Sequence, residues 1–232
     1  MKSNKNFTTN TQKSELLKAV VPIYCELEEE KELRGTGFLI CVKGFTILVT
    51  SGHTFFKPDN TPNYKPNSQH FCILHEEDKI ILNFNTTHCL LELNDENSNF
   101  NDYAFFILEN TSLKKGLDLV DYLLENERTD LIAIGFDPNT ETLKEYSRVA
   151  LKVQETEKMP NNSNNLMISW GESIQGNSGG PILNDTNKVI GMIALGTNPD
   201  EGLRQYFIKS DYLIQKLNDF ITKLEKQKNR NE

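Results

Sequence analysis

The apolar residues of this chain arrive in short runs of three to eight, cut apart by Gly, Asn, Asp and Pro, until one final segment changes period. That pattern constrains the fold more than any other feature. Runs of this length, rich in β-branched and aromatic residues and bounded by turn formers, read as strands of a sandwich or barrel. The runs are Val20–Leu27, Leu33–Val42, Phe45–Thr50, Phe71–His75, Ile80–Phe84, His88–Leu93 and Tyr103–Leu108, then Leu131–Phe136, Arg148–Val153, Leu166–Trp170, Pro181–Leu183, Val189–Leu195 and Gln205–Ile208. A proline-bearing polar stretch, Phe56 to Ser68, and the Asn-rich Asn94–Asn101 read as loops. Between the two groups, Leu117–Asn126 has helical spacing and is expected to be a linker helix. In the last segment Leu213, Ile214, Leu217, Phe220, Ile221 and Leu224 share one face of an amphipathic helix. Ser210 is its expected cap, Asp211 suits its positive end, and Lys223, Lys226, Lys228 and Arg230 suit its negative end. Packing on the preceding strands is the expectation for its apolar face.

The expected organisation is therefore a flexible polar tail over 1–15, a first β unit over 16–115, a second over 116–209, and a helix with its tail over 210–232. Thirteen Phe, seven Tyr and one Trp within 232 residues can fill cores of that size. The formal charge of −8 makes the chain a poor candidate for binding phosphate backbones. No apolar run approaches the ~18 residues of a membrane span, and the N-terminus has no apolar stretch of signal-peptide type. Four cysteines, Cys25, Cys41, Cys72 and Cys89, are too few for a disulfide scaffold and contain no CxxC. Cys41 and Cys89 sit in apolar runs and read as small buried hydrophobes. The expected location is a reducing cytoplasm, with no membrane and no nucleic-acid partner.

The densest chemical signal is Gly176-Asn177-Ser178-Gly179-Gly180-Pro181. Three glycines around one serine, just before a strand, permit a tight backbone with an exposed hydroxyl and N–H groups turned toward one point. The same hexamer is also ordinary loop composition. A serine hydroxyl needs a base, and the base needs an orienting group. Of four histidines, His53 ends a strand in Thr50-Ser51-Gly52-His53, where small residues leave room around it. His70, His75 and His88 lie in or beside strand-like runs and read as packing or surface residues. Asp102 directly precedes the apolar run Tyr103–Leu108, where its carboxylate can be shielded from water.

These motifs together resemble the trypsin-like, chymotrypsin-fold serine peptidases. The resemblance rests on Thr50–His53, on Asp102-Tyr103-Ala104 and on Gly176–Pro181, in the chain order His, Asp, Ser that marks that fold. Gly35-Thr36-Gly37-Phe38-Leu39-Ile40, Ile132–Phe136 and Val189–Ile193 match further strands of the family. The resemblance implies an all-β fold of two six-stranded antiparallel Greek-key barrels with a C-terminal α-helix. It implies a catalytic triad of His53, Asp102 and Ser178, and an oxyanion hole from the N–H groups of Gly176 and Ser178. Protein or peptide substrates are implied, with no cofactor and no metal. Thr54 stands where secreted members place a cysteine. Asn177 replaces the aspartate that pairs with a cleaved N-terminus. Gly-Asn-Ser-Gly-Gly-Pro is closer to the HtrA-like branch, here with no PDZ domain expected and with control left to loop order or a regulatory partner.

The resemblance also implies that Ala194, Leu195 and Gly196 line the substrate, and that Glu172, six residues before Ser178, lies at the base of the primary specificity pocket. Glu172 there would favour a basic side chain; Arg204 opposite would neutralise it or invite an acidic one; and Glu172 is equally readable as a solvated loop residue. Three rivals accompany the peptidase reading. One is a catalytically silent fold that binds peptides or proteins. Another is an esterase using the same triad. The third is a zinc site from Cys72, His75, His88 and Cys89.

Overall fold

The computed structural model describes residues 17–26, 30–57, 61, 70–75, 78–84, 88–93, 101–109, 116–124, 126–152, 164–171, 176–196 and 204–231. The expected tail over 1–15, most of the proline-bearing stretch, the loop before Asn101 and Glu172 lie outside them. Seven strands make the first sheet: β1 (Val20–Glu26), β2 (Lys31–Val42), β3 (Phe45–Thr50), β4 (His70–His75), β5 (Asp78–Ile81), β6 (Cys89–Glu92) and β7 (Tyr103–Leu108). Six follow: β8 (Arg128–Asp137), β9 (Thr142–Leu151), β10 (Leu166–Gly171), β11 (Pro181–Leu183), β12 (Val189–Gly196) and β13 (Arg204–Lys209), before helix α1 (Ser210–Asn231).

The first sheet runs β5-β4-β1-β2-β3-β7-β6, and the second closes as β10-β13-β12-β11-β8-β9. The all-β architecture is chymotrypsin-like, with one difference of detail. Only the second unit is a hydrogen-bonded six-stranded barrel; the first is a seven-stranded sheet among the described residues. Its outermost strands, β5 and β6, have four residues each. Strands that short are a common way to end a sheet without offering a long edge.

Three readings are corrected, the third at the start of the final helix. The stretch 116–124 is extended rather than helical. Leu117 N–H donates to the Leu39 carbonyl at 2.8 Å, Val189 N–H to Asp118 at 2.9 Å, and Val120 N–H to Val189 at 3.1 Å. Pairing with both units satisfies backbone groups that a helix would have satisfied internally, so tertiary partners override the local spacing. Cys41 is exposed and Cys89 half-buried, while Cys25 and Cys72 are buried. Cys41 lies where the buried run Gly35–Ile40 ends and β2 leaves the core for the turn to β3. All four thiols are free. Among the described residues no group of three or more His, Cys, Asp or Glu is placed to hold a metal, and no helix is long and apolar enough to cross a membrane.

Helix α1 buries Leu213, Leu217, Phe220 and Ile221, as its periodicity predicts. Its face spans both units. It rests on β12 and β13, while Phe220 meets Phe105 of β7 with ring centroids 6.3 Å apart. Lys43 of the β2–β3 turn pairs with Glu225 at 3.3 Å. Ser210 does not cap the helix: it is the first helical residue, and its buried hydroxyl makes no hydrogen bond among the described residues. Asp211 instead accepts from the Tyr212 N–H at 2.9 Å.

Candidate active site

His53 lies on a single 3-10 turn, Gly52–Thr54, that β3 delivers at its C-terminal end. The turn is held from beneath. Phe55 is fully buried, and its ring meets Phe71, Phe84 and Phe106 edge-on at 5.1, 5.1 and 5.3 Å. Such pairs add about 0.5–1.5 kcal/mol each beyond their area burial. Ser51 and Thr54 share a hydroxyl hydrogen bond of 2.9 Å across the turn.

Asp102 directly precedes β7 and is 2% exposed. Its carboxylate holds His53 at two points. Oδ1 accepts from the His53 backbone N–H at 2.8 Å, and Oδ2 lies 2.6 Å from His53 Nδ1. A bond that short is of the charge-assisted kind. It places the proton on Nδ1 and leaves Nε2 as the outward atom. Burial is the largest single influence on the His53 imidazole and acts to lower its pKa. The charge of Asp102 and its hydrogen bond together outweigh burial, and the result lies above the ordinary histidine value.

Ser178 enters from the second unit on the turn before β11. Gly176 and Gly179 have φ of +89° and +83°, in the region that side chains disfavour. A Cβ at Gly179 would stand 2.1 Å from Thr50 Oγ1 and 2.3 Å from the Thr36 carbonyl oxygen, so the turn can approach the first sheet only as glycine. The turn is tied on both sides. Gly179 N–H donates to Ile193 at 2.8 Å, and Ile193 N–H to Gly180 at 2.9 Å. Across the seam, Thr36 N–H donates to the Ser178 carbonyl at 2.9 Å. The Thr36 hydroxyl donates to the Gly176 carbonyl at 2.7 Å and accepts from the Phe136 N–H at 2.9 Å. Asn177 is 1% exposed, and its amide makes no hydrogen bond among the described residues. A carboxylate in its place would bury a charge against the Gly135 backbone.

His53, Gly176 and Ser178 line one cleft of about 510 Å³ together with Lys31, Glu32, Leu33, Arg34, Pro138 and Glu141. The start of β2 and the β8–β9 turn form its far wall. Glu141 ties them together: it lies 4.0 Å from Lys31 of β2 and accepts a hydrogen bond from the Tyr24 hydroxyl of the adjoining β1 at 3.1 Å. Sequence reasoning missed this wall. Thr36 stood within a quoted motif, but its seam hydrogen bonds left no local signal. Of the expected substrate residues, Glu172 lies outside the described residues. Ala194 is fully buried at a register shift in β12. Leu195 and Gly196 pair with Tyr206 and Gln205 of β13. Arg204 lays its guanidinium over the Trp170 ring at 4.7 Å, and neither residue lines the cleft. His70 faces a Glu26 carboxylate oxygen, His88 lies 3.1 Å from Glu109, and His75 is buried; none of the three lines the cleft.

Two β units that present an imidazole–carboxylate pair and a glycine-flanked serine to one cleft define the trypsin-like class. The family model described as "Trypsin-like peptidase domain" matches residues 35–192, and the chain belongs to that family. No curated protein sequence matches it. Solved structures with similar folds include the Rv3671c protease of M. tuberculosis in its active form, at 14% identity and TM-score 0.62 over 90% of this chain and 83% of that one. A serine-to-alanine variant of the HtrA-type protease AlgW with a decapeptide is similar at 12% identity and TM-score 0.65, over 93% and 67%. The serine endoprotease of Yersinia pestis is similar at 16% and 0.59, over 94% and 68%. These likenesses, at such identities, are likenesses of fold.

Proposed function

We propose that the protein is a serine endopeptidase acting through His53, Asp102 and Ser178. The observation that carries this reading is the two-point grip of Asp102 on His53 beside a cleft that Ser178 also lines. In the proposed cycle Ser178 Oγ attacks the scissile carbonyl carbon as His53 Nε2 takes its proton. The N–H groups of Gly176 and Ser178 receive the oxyanion; neither makes a backbone hydrogen bond among the described residues. The C–N bond then breaks, and His53 returns the proton to the leaving amine. Water repeats the sequence on the acyl-enzyme and releases the carboxylate. Losing one oxyanion donor typically costs ~3–4 kcal/mol in the transition state.

Substrates are proteins or peptides threaded through the cleft. Four free thiols suit a reducing compartment, and cell fractionation tests the cytoplasmic assignment. The central experiment is labelling by a fluorophosphonate together with cleavage of a peptide library. Wild-type protein is expected to form an adduct at Ser178 and to cut peptides, and Ser178→Ala to do neither while keeping its fold. Cleavage that persists in a clean Ser178→Ala preparation refutes the mechanism. Folded wild-type protein that forms no adduct supports a peptide-binding module instead.

A further inference from the structure

The C-terminal helix touches the residues on either side of Asp102. Asp102 carries two bonds to His53, so a small rotation of its backbone would loosen both. On its C-terminal side the backbone is fixed by the sheet. Tyr103 pairs with Glu92 of β6, and Ala104 with Thr50 of β3. On its N-terminal side Asn101 lies outside the ladder. There the hydroxyl of Tyr212, in the first turn of α1, donates a hydrogen bond to Asn101 Oδ1. The Tyr212 ring also meets the Tyr103 ring edge-on, with centroids 6.1 Å apart at 77°. One side chain thus bears on both neighbours of the carboxylate without touching the carboxylate, the imidazole or the cleft.

We propose that Tyr212 is a positioning residue for the His53–Asp102 pair: its hydroxyl holds Asn101, and its ring backs Tyr103, so that docking of α1 sets the orientation of Asp102. The helix itself is anchored independently, by Leu213, Leu217, Phe220 and Ile221 in the core. Removing the hydroxyl alone therefore leaves α1 docked and releases only the N-terminal side of Asp102. For catalysis this role rests on the peptidase reading above; for geometry it does not.

Tyr212→Phe removes the hydroxyl and keeps the ring. The test reads the downfield proton resonance of His53 Nδ1–H and the rate of Ser178 labelling by a fluorophosphonate, on full-length protein whose thermal midpoint is measured in parallel. The expected result is an upfield-shifted or broadened resonance, and labelling slowed about tenfold with little change in half-saturating probe concentration. Tenfold corresponds to ~1.4 kcal/mol in the barrier, the scale of one hydrogen bond. Asn101→Ala removes the acceptor and should reproduce both effects, with no further loss in the double variant. It carries the test if Tyr212→Phe fails to fold. A wild-type resonance in the folded Tyr212→Phe and Asn101→Ala variants overturns the proposal, whatever the labelling rates. If the resonance responds but wild-type protein takes no label, the positioning role stands and the peptidase reading falls.

Discussion

Thr36→Val asks how strongly one hydroxyl joins the two halves of the site. Thr36 is fully buried on β2, and its Oγ1 sits between the Gly176 carbonyl at 2.7 Å and the Phe136 N–H at 2.9 Å. Valine matches threonine in shape but can neither donate nor accept. The substitution leaves a half-buried carbonyl and a half-buried N–H without these partners; with cleft water near Gly176 each costs roughly 1–1.5 kcal/mol, the lower part of the usual range, so the loss is about 2–3 kcal/mol. A methyl group also cannot sit 2.7 Å from a carbonyl oxygen, and the Ser178 turn must move away from β2. Against a typical total stability of about 5–15 kcal/mol, that is a large fraction. With a urea dependence of about 2–3 kcal/mol/M, the unfolding midpoint should fall by ~1 M. Thr36→Ser keeps both hydrogen bonds and gives up one methyl, ~1 kcal/mol, so the pair separates hydroxyl from volume. Peptide cleavage should fall with stability in Thr36→Val and recover in Thr36→Ser. A Thr36→Val midpoint that matches that of Thr36→Ser would refute the reasoning.

The further predictions concern the same machinery. The acid limb of kcat/KM should lie above the ordinary histidine value of 6.5, because Asp102 raises His53 and the base acts only when neutral. Asp102→Asn should move that limb to lower pH, since burial then acts without an opposing charge, and should cut kcat by roughly 10⁴-fold. The stability linkage has the matching sign. The His53–Asp102 contribution is fully present below the unfolded histidine value and is lost as pH rises through the higher folded one, so urea midpoints of wild type and Asp102→Asn should converge at alkaline pH. Gly179→Ala should lose at least about 2 kcal/mol from positive-φ strain and contact with Thr50 and Thr36, and should abolish Ser178 labelling; wild-type labelling would show that the turn does not need glycine.

Much of this protein was legible from its residues alone. Strands Phe45–Thr50, Tyr103–Leu108 and Pro181–Leu183 occupy the ranges that their apolar runs predict, and α1 buries the face that its period marks out. The structure brings His53 and Asp102 together and sets Ser178 in the same cleft, three residues named from short motifs separated by tens of positions. These features are local, because turn chemistry and side-chain period act within a few residues. What only the tertiary structure decided is partnership. Residues 116–124 had helical spacing, yet lie extended because Leu39 and Val189 offer their backbones. Cys41 is exposed because β2 leaves the core there for its turn, although the apolar residues just before it are buried. The Thr36 bridge, the Glu141 wall and the Tyr212 contact join residues 140, 117 and 111 positions apart. A sequence states which groups need a partner; only the closed fold, where burial makes each unpaired group costly, determines which partner each one meets.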